Sequence, residues 1–133
     1  MLGLMDAARA IADLTEISPQ VRDVVLVGSN GTLAGANVAD DARSQQLVDG
    51  AKRLVEAAEE LRPGVAQLEA ATPLGSVFVV RDGARLIAAT TTPDPTVGLV
   101  FYDLKTCLRS VDEPKRAPRK RAPAKKKTDD AAA

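Results

Sequence analysis

Val24-Val25-Leu26-Val27-Gly28-Ser29-Asn30-Gly31-Thr32-Leu33-Ala34 is the stretch whose reading decides the fold. Four apolar residues in succession leave no side for water, so the strand, which starts near Val21, reads as covered on both faces. Gly28-Ser29-Asn30-Gly31 then reads as a tight turn, with Asn30-Gly31 supplying the positive-φ positions. The chain returns through Thr32 to Asn37, where Ala34, Gly35 and Ala36 predict an element packed closely on top. A glycine-rich loop of this kind invites comparison with a phosphate loop. It lacks the Gly-Lys-Ser/Thr ending and leads into a strand rather than a helix N-terminus, so it reads as a hairpin.

Upstream of this hairpin, Leu4, Ala8, Ile11, Leu14 and Ile17 recur at spacings of three and four and predict one face of a first helix. Asp6, Arg9, Asp13 and Glu16 form its solvated side, and Ser18-Pro19 ends it. Downstream, Asp40-Asp41 opens a long helix over 41–61. Two adjacent carboxylates there read as caps complementing the helix dipole rather than as an acid/base pair. Leu47, Ala51, Leu54, Ala58 and Leu61 form the main apolar line, flanked by Val48 and Val55, with Gly50 and Ala57 a step further round. A stripe this wide predicts contact with both the sheet and a second helix.

Arg62-Pro63-Gly64 stops that helix. Val65 to Thr72 alternates, with Ala66, Leu68 and Ala70 on one side and Gln67 and Glu69 on the other, as in a half-exposed edge strand. Ser76 to Arg81 reads as a buried strand, Asp82-Gly83 as a second hairpin signal, and Arg85 to Thr90 as its return. Thr92-Pro93-Asp94-Pro95 opens a last helix, with Asp94 as the expected cap and Pro95 as the first helical residue. Val97, Val100, Phe101, Leu104, Leu108 and Val111 form its inner face.

Composition narrows the function classes. At 133 residues the chain suits one core, and its aromatics are limited to Phe78, Phe101 and Tyr102. With no histidine there is no imidazole base and no histidine metal ligand. The single cysteine, Cys107, pairs with no second thiol and sits on the inner side of a helix with no base beside it, which reads as a packed thiol rather than a nucleophile. One free cysteine, no basic n-region at the start and no long apolar run lead to the expectation of a soluble, cytoplasmic protein. No acid/base or nucleophile constellation emerges, and none of the residues requires a metal or other cofactor; the expectation is a non-enzyme.

The element order is thus helix, two strands, helix, three strands, helix. At this point the chain resembles the roadblock (dynein light chain) domain family, in particular its bacterial MglB-like members. The resemblance rests on Val24 to Ala34, the helix 41–61, Pro73-Leu74-Gly75-Ser76-Val77-Phe78-Val79-Val80 and Thr96-Val97-Gly98-Leu99-Val100. It implies an α/β (α+β) domain of profilin/longin-like type: a five-stranded antiparallel sheet with the long helix on one face and the two terminal helices on the other. It also implies a homodimer formed by pairing third strands and long helices, which places Leu47, Gly50, Ala51, Leu54, Ala57, Ala58, Gln67 and Glu69 at the interface. Members similar to this chain regulate small Ras-like GTPases, binding the GTPase and remodelling its switch region. No defined arginine finger carries over; Arg43, Arg53, Arg81 and Arg85 read as surface pairing partners. Docking by analogy falls on Arg43, Gln46, Lys52, Arg53 and Glu56 of the long helix.

The zero net charge hides a division. Residues 1–111, the expected domain, hold 10 Lys or Arg against 14 Asp or Glu, whereas residues 112–133 hold 8 against 4. The second segment reads as a disordered tail, because Pro114, Pro118 and Pro123 interrupt a run too polar to build a core. Lys115, Arg116, Arg119, Lys120, Arg121, Lys125, Lys126 and Lys127 fit either a solubilising tail or a clamp for nucleic acid or another polyanion. An alternative reading follows: a dimeric scaffold that displays this tail without regulating a GTPase. With no aromatics interleaved, such binding would be independent of sequence.

Overall fold

A computed structural model describes residues 5–111. Eight elements follow in the expected order: α1 (Ala7–Ile17), β1 (Val21–Val27), β2 (Leu33–Ala36), α2 (Asp41–Leu61), β3 (Gln67–Thr72), β4 (Gly75–Asp82), β5 (Arg85–Thr91) and α3 (Val97–Ser110). The strands form one antiparallel sheet in the order β2-β1-β5-β4-β3, which leaves β2 and β3 as its edges.

The apolar run in β1 does what its lack of alternation requires. Val24 and Leu26 face a core shared with α1 and α3, while Val25 and Val27 face a second core shared with α2. The first core also holds Phe78, Val80, Ile87 and Ala89 of the sheet against Ile11, Leu14, Val100, Leu104 and Leu108. Phe101 caps it edge-on to Phe78, ring centres 4.9 Å apart. The small residues of β2 have their explanation here. A Cβ added at Gly35 would lie 2.8 Å from the Ala7 Cβ, so α1 rests directly on the strand backbone.

Several local expectations need correcting. The buried side of α1 is Ala7, Ala10, Ile11 and Leu14, whereas Ala8 is exposed and Ile17 is 65 % exposed. The helix begins at the Asp6 cap, which accepts from the Arg9 amide, and of the expected face Ile11 and Leu14 are buried, joined by Ala7 and Ala10. In the β1–β2 turn only Gly31 has positive φ; Asn30 instead accepts at its side-chain oxygen from the Thr32 amide and hydroxyl. The last helix starts at Val97 with Thr96 as N-cap, so neither Asp94 nor Pro95 has the expected role. Asp94 occupies the left-handed region (φ 54°), and the Thr96 amide donates to the Gln20 side chain instead. Asp40 does cap α2, accepting from the Ala42 amide.

Candidate functional site

The α2 face of the sheet is where the molecule is incomplete. Helix α2 packs over β2, β1 and β5 through Leu47, Val48, Ala51 and Val55. No other described element covers that face, so its outer part, toward β4 and β3, carries apolar side chains without a roof. Leu68 of β3 and Val77 of β4 are half-buried there, beside Leu54 of α2. The result is an open groove of about 480 Å³ lined by α2 residues from Arg43 to Leu54, with Val77 and Thr90 as its floor.

Three contacts set the course of α2 and so shape the groove. At its start, Arg43 pairs with Asp23 at 3.2 Å, and the backbone there is held by the Asp23 amide donating to the Thr90 hydroxyl. Asn37, just past β2, extends that strand's pairing with β1, accepting from the Val24 amide and donating to the Arg22 carbonyl. Midway, the Lys52 ammonium donates to the Gly31 carbonyl at 2.9 Å, drawing the helix toward the β1–β2 turn. At its end, Glu59 accepts from the Gly64 and Val65 amides and from the Arg81 guanidinium at 2.6 Å. The Val65 and Gly64 amides, and after them Arg81, hold the Glu59 carboxyl below its ordinary range despite partial desolvation.

The residues singled out from sequence fall into distinct places. Leu47, Gly50, Ala51 and Leu54 line the groove, although Ala51 is committed to this chain's own core. Ala57 is exposed and Ala58 half-buried further along α2. Gln67 and Glu69 are exposed on β3, with Glu69 accepting from the Ser76 hydroxyl across the ladder. Of the docking set, Arg43, Gln46 and Arg53 stand at the groove. Lys52 points the other way, to the β1–β2 turn, so the five do not share one surface. Arg81 and Arg85 are tied down, the first by Glu59 and the Val65 carbonyl, the second by the Val111 carbonyl and Asp82. Arg53 alone of these arginines makes no ion pair or hydrogen bond among the described residues. The basic residues from Lys115 to Lys127 lie outside the described residues.

Sequence reasoning missed two parts of the site. Val77 and Thr90 form the floor, but the first strand reads as buried on both faces and the second only as a hairpin return, and the position of α2 is what leaves these two uncovered. Leu61, 83 % exposed at the end of α2, was seen only as part of the apolar line. Its spacing of seven from Leu54 was the available signal. Among the described residues no three His, Cys, Asp or Glu side chains gather as a metal site. Cys107 is buried against α1, and burial together with the Asp13 charge pushes its thiol up to about 12. No described helix is long and apolar enough to cross a membrane.

No protein-family model matches the sequence, and no curated protein does either. Solved structures do match. A Roadblock/LC7 domain from Streptomyces avermitilis superposes with a TM-score of 0.68 at 15 % identity, over 80 % of this chain and 94 % of that one. MglB of Myxococcus xanthus gives 0.55 at 14 %, over 78 % and 86 %. A LokiProfilin1, solved in complex with rabbit actin, gives 0.56 at 11 %, over 76 % and 90 %. The protein therefore has the Roadblock/LC7 fold, a five-stranded antiparallel sheet between one long helix and two terminal helices.

Proposed function

We propose that the protein is a homodimeric adaptor, without catalytic residues of its own, that binds a small Ras-like GTPase and modulates its nucleotide cycle. The observation that carries this reading is the uncovered part of the α2 face. An apolar groove beside an unpaired edge strand is covered in one step by a second copy, strand pairing with strand and helix lying along helix. The likeness to MglB and the sequence resemblance to MglB-like regulators support a GTPase as the further partner. Arg53, exposed and free of partners among the described residues, is the cation on α2 available to such a protein. A chain with one buried thiol and no histidine leaves the chemistry to the GTPase and works in a reducing cytoplasm.

The test is sedimentation of the full chain, alone and with a panel of small Ras-like GTPases in GDP and GTP-analogue states. The expected result is a dimer that binds one nucleotide state at least tenfold more tightly, with Arg53→Glu weakening that complex. A monomer at every concentration overturns the dimer. Equal binding to both states, or binding to monomeric actin and to no GTPase, overturns the regulator.

A further inference from the structure

Gly50 sits near the middle of α2, where glycine weakens a helix because it has the most backbone freedom to lose. Nothing in the chain accounts for it. A Cβ built at Gly50 would meet no atom within 4 Å beyond its own stretch of helix, so the fold itself accepts alanine there. The position lies instead on the wall of the open groove, between Leu47 and Leu54.

Along α2, Leu47, Gly50, Leu54, Ala57 and Leu61 alternate spacings of three and four, which aligns them on one stripe. The stripe runs from the buried Leu47 through the half-buried Gly50 and Leu54 to the exposed Ala57 and Leu61. Their sizes alternate as well, with leucines at 47, 54 and 61 and small residues at 50 and 57. Such a stripe is complementary to itself when the second copy runs antiparallel about a two-fold axis near residue 52. Leu54 of each copy then meets Gly50 of the other. An isologous interface requires this reciprocity, residue i touching j while j touches i. Leu68 and Val77 extend the same apolar surface toward the free edge of β3. Packed helices lie about 8–10 Å apart depending on the side chains at the contact, and a glycine permits the lower end.

We infer that Gly50 is the point of closest approach between the long helices of two copies, its missing side chain leaving the notch that the second copy's Leu54 fills. This rests on the homodimer reading above, and the test separates the two. Sedimentation of the full wild-type chain over a concentration series first establishes self-association; a monomer throughout overturns the underlying reading. Given a dimer, Gly50→Leu raises its dissociation constant at least tenfold while circular dichroism shows an unchanged helix content. The exchanged pair Gly50→Leu/Leu54→Ala brings the constant back to within about threefold of wild type, the leucine now entering the notch at 54. Gly50→Ala serves if Gly50→Leu does not fold. It weakens the dimer yet raises the unfolding temperature of the monomer at high dilution, two effects of opposite sign. A Gly50→Leu or Gly50→Ala chain that dimerises as tightly as wild type overturns the inference, as does an exchanged pair that recovers nothing.

Discussion

Gly75 opens β4 with φ 138° and its α-carbon turned toward β5, so that an added Cβ would fall 2.0 Å from the Thr91 carbonyl oxygen. Gly83, in the β4–β5 turn, has φ 64° but open space around it. The two glycines therefore separate two costs. Gly83→Ala carries only the conformational penalty, on the order of 1 kcal/mol. Gly75→Ala adds a steric clash with backbone that no rotamer relieves, for a total of roughly 2–4 kcal/mol. Thermal unfolding of the two variants checks this, and equal losses would mean that the close approach at Thr91 is not present in solution. Neither distinction was legible in the sequence. Asp82-Gly83 announces a turn by composition, but Gly75 stands between Leu74 and Ser76 with no local signal, and its constraint comes from a strand ten and more residues away.

At the scale of elements, Glu59 joins three pieces of chain: the end of α2, the Gly64-Val65 connection and Arg81 on β4. Its carboxyl is held below the usual value of 4.5 in the folded protein. Stabilisation from a lowered carboxylate pKa is complete above the unfolded value and is lost as pH falls through the folded one. Glu59→Gln should lower the unfolding temperature at pH 7, and the gap from wild type should close as pH drops below about 4.5. A gap that stays constant to pH 3 would mean the charge contributes nothing. The elements themselves were largely legible: the periodicities over 41–61 and the β1 run placed α2 and an interior strand. The α1 face was misjudged because Ile17, with the right spacing, falls at the frayed end where no neighbour covers it. The Asp94-Pro95 start of α3 failed for another reason. Cap chemistry marked a plausible place, and the Gln20 side chain, far away in sequence, took up the first free amide instead.

For the whole molecule, element order and the edge at β3 followed from sequence because each rests on local pattern, whereas nothing in its residues marked β2 as the other edge. The groove did not follow either, since it is defined by what α2 leaves uncovered, and that depends on the tethers at Asp23, Gly31 and Arg81. One further property concerns kinetics. The chain has a single sulfhydryl, and it lies under α1 on the inner side of α3, pushed up to about 12 by burial and the Asp13 carboxylate. An alkylating reagent at pH 8 to 9 finds almost no thiolate, and a side chain only 5 % exposed, while α1 is seated. Modification should then proceed when α1 lifts away, at a rate set by the opening equilibrium multiplied by the reagent's rate with an exposed thiol. Labelling of the native protein as fast as that of the denaturant-unfolded chain at the same pH would refute this. Cys107 thus gives the protein a built-in reporter, every labelled molecule having parted its two terminal helices at least once.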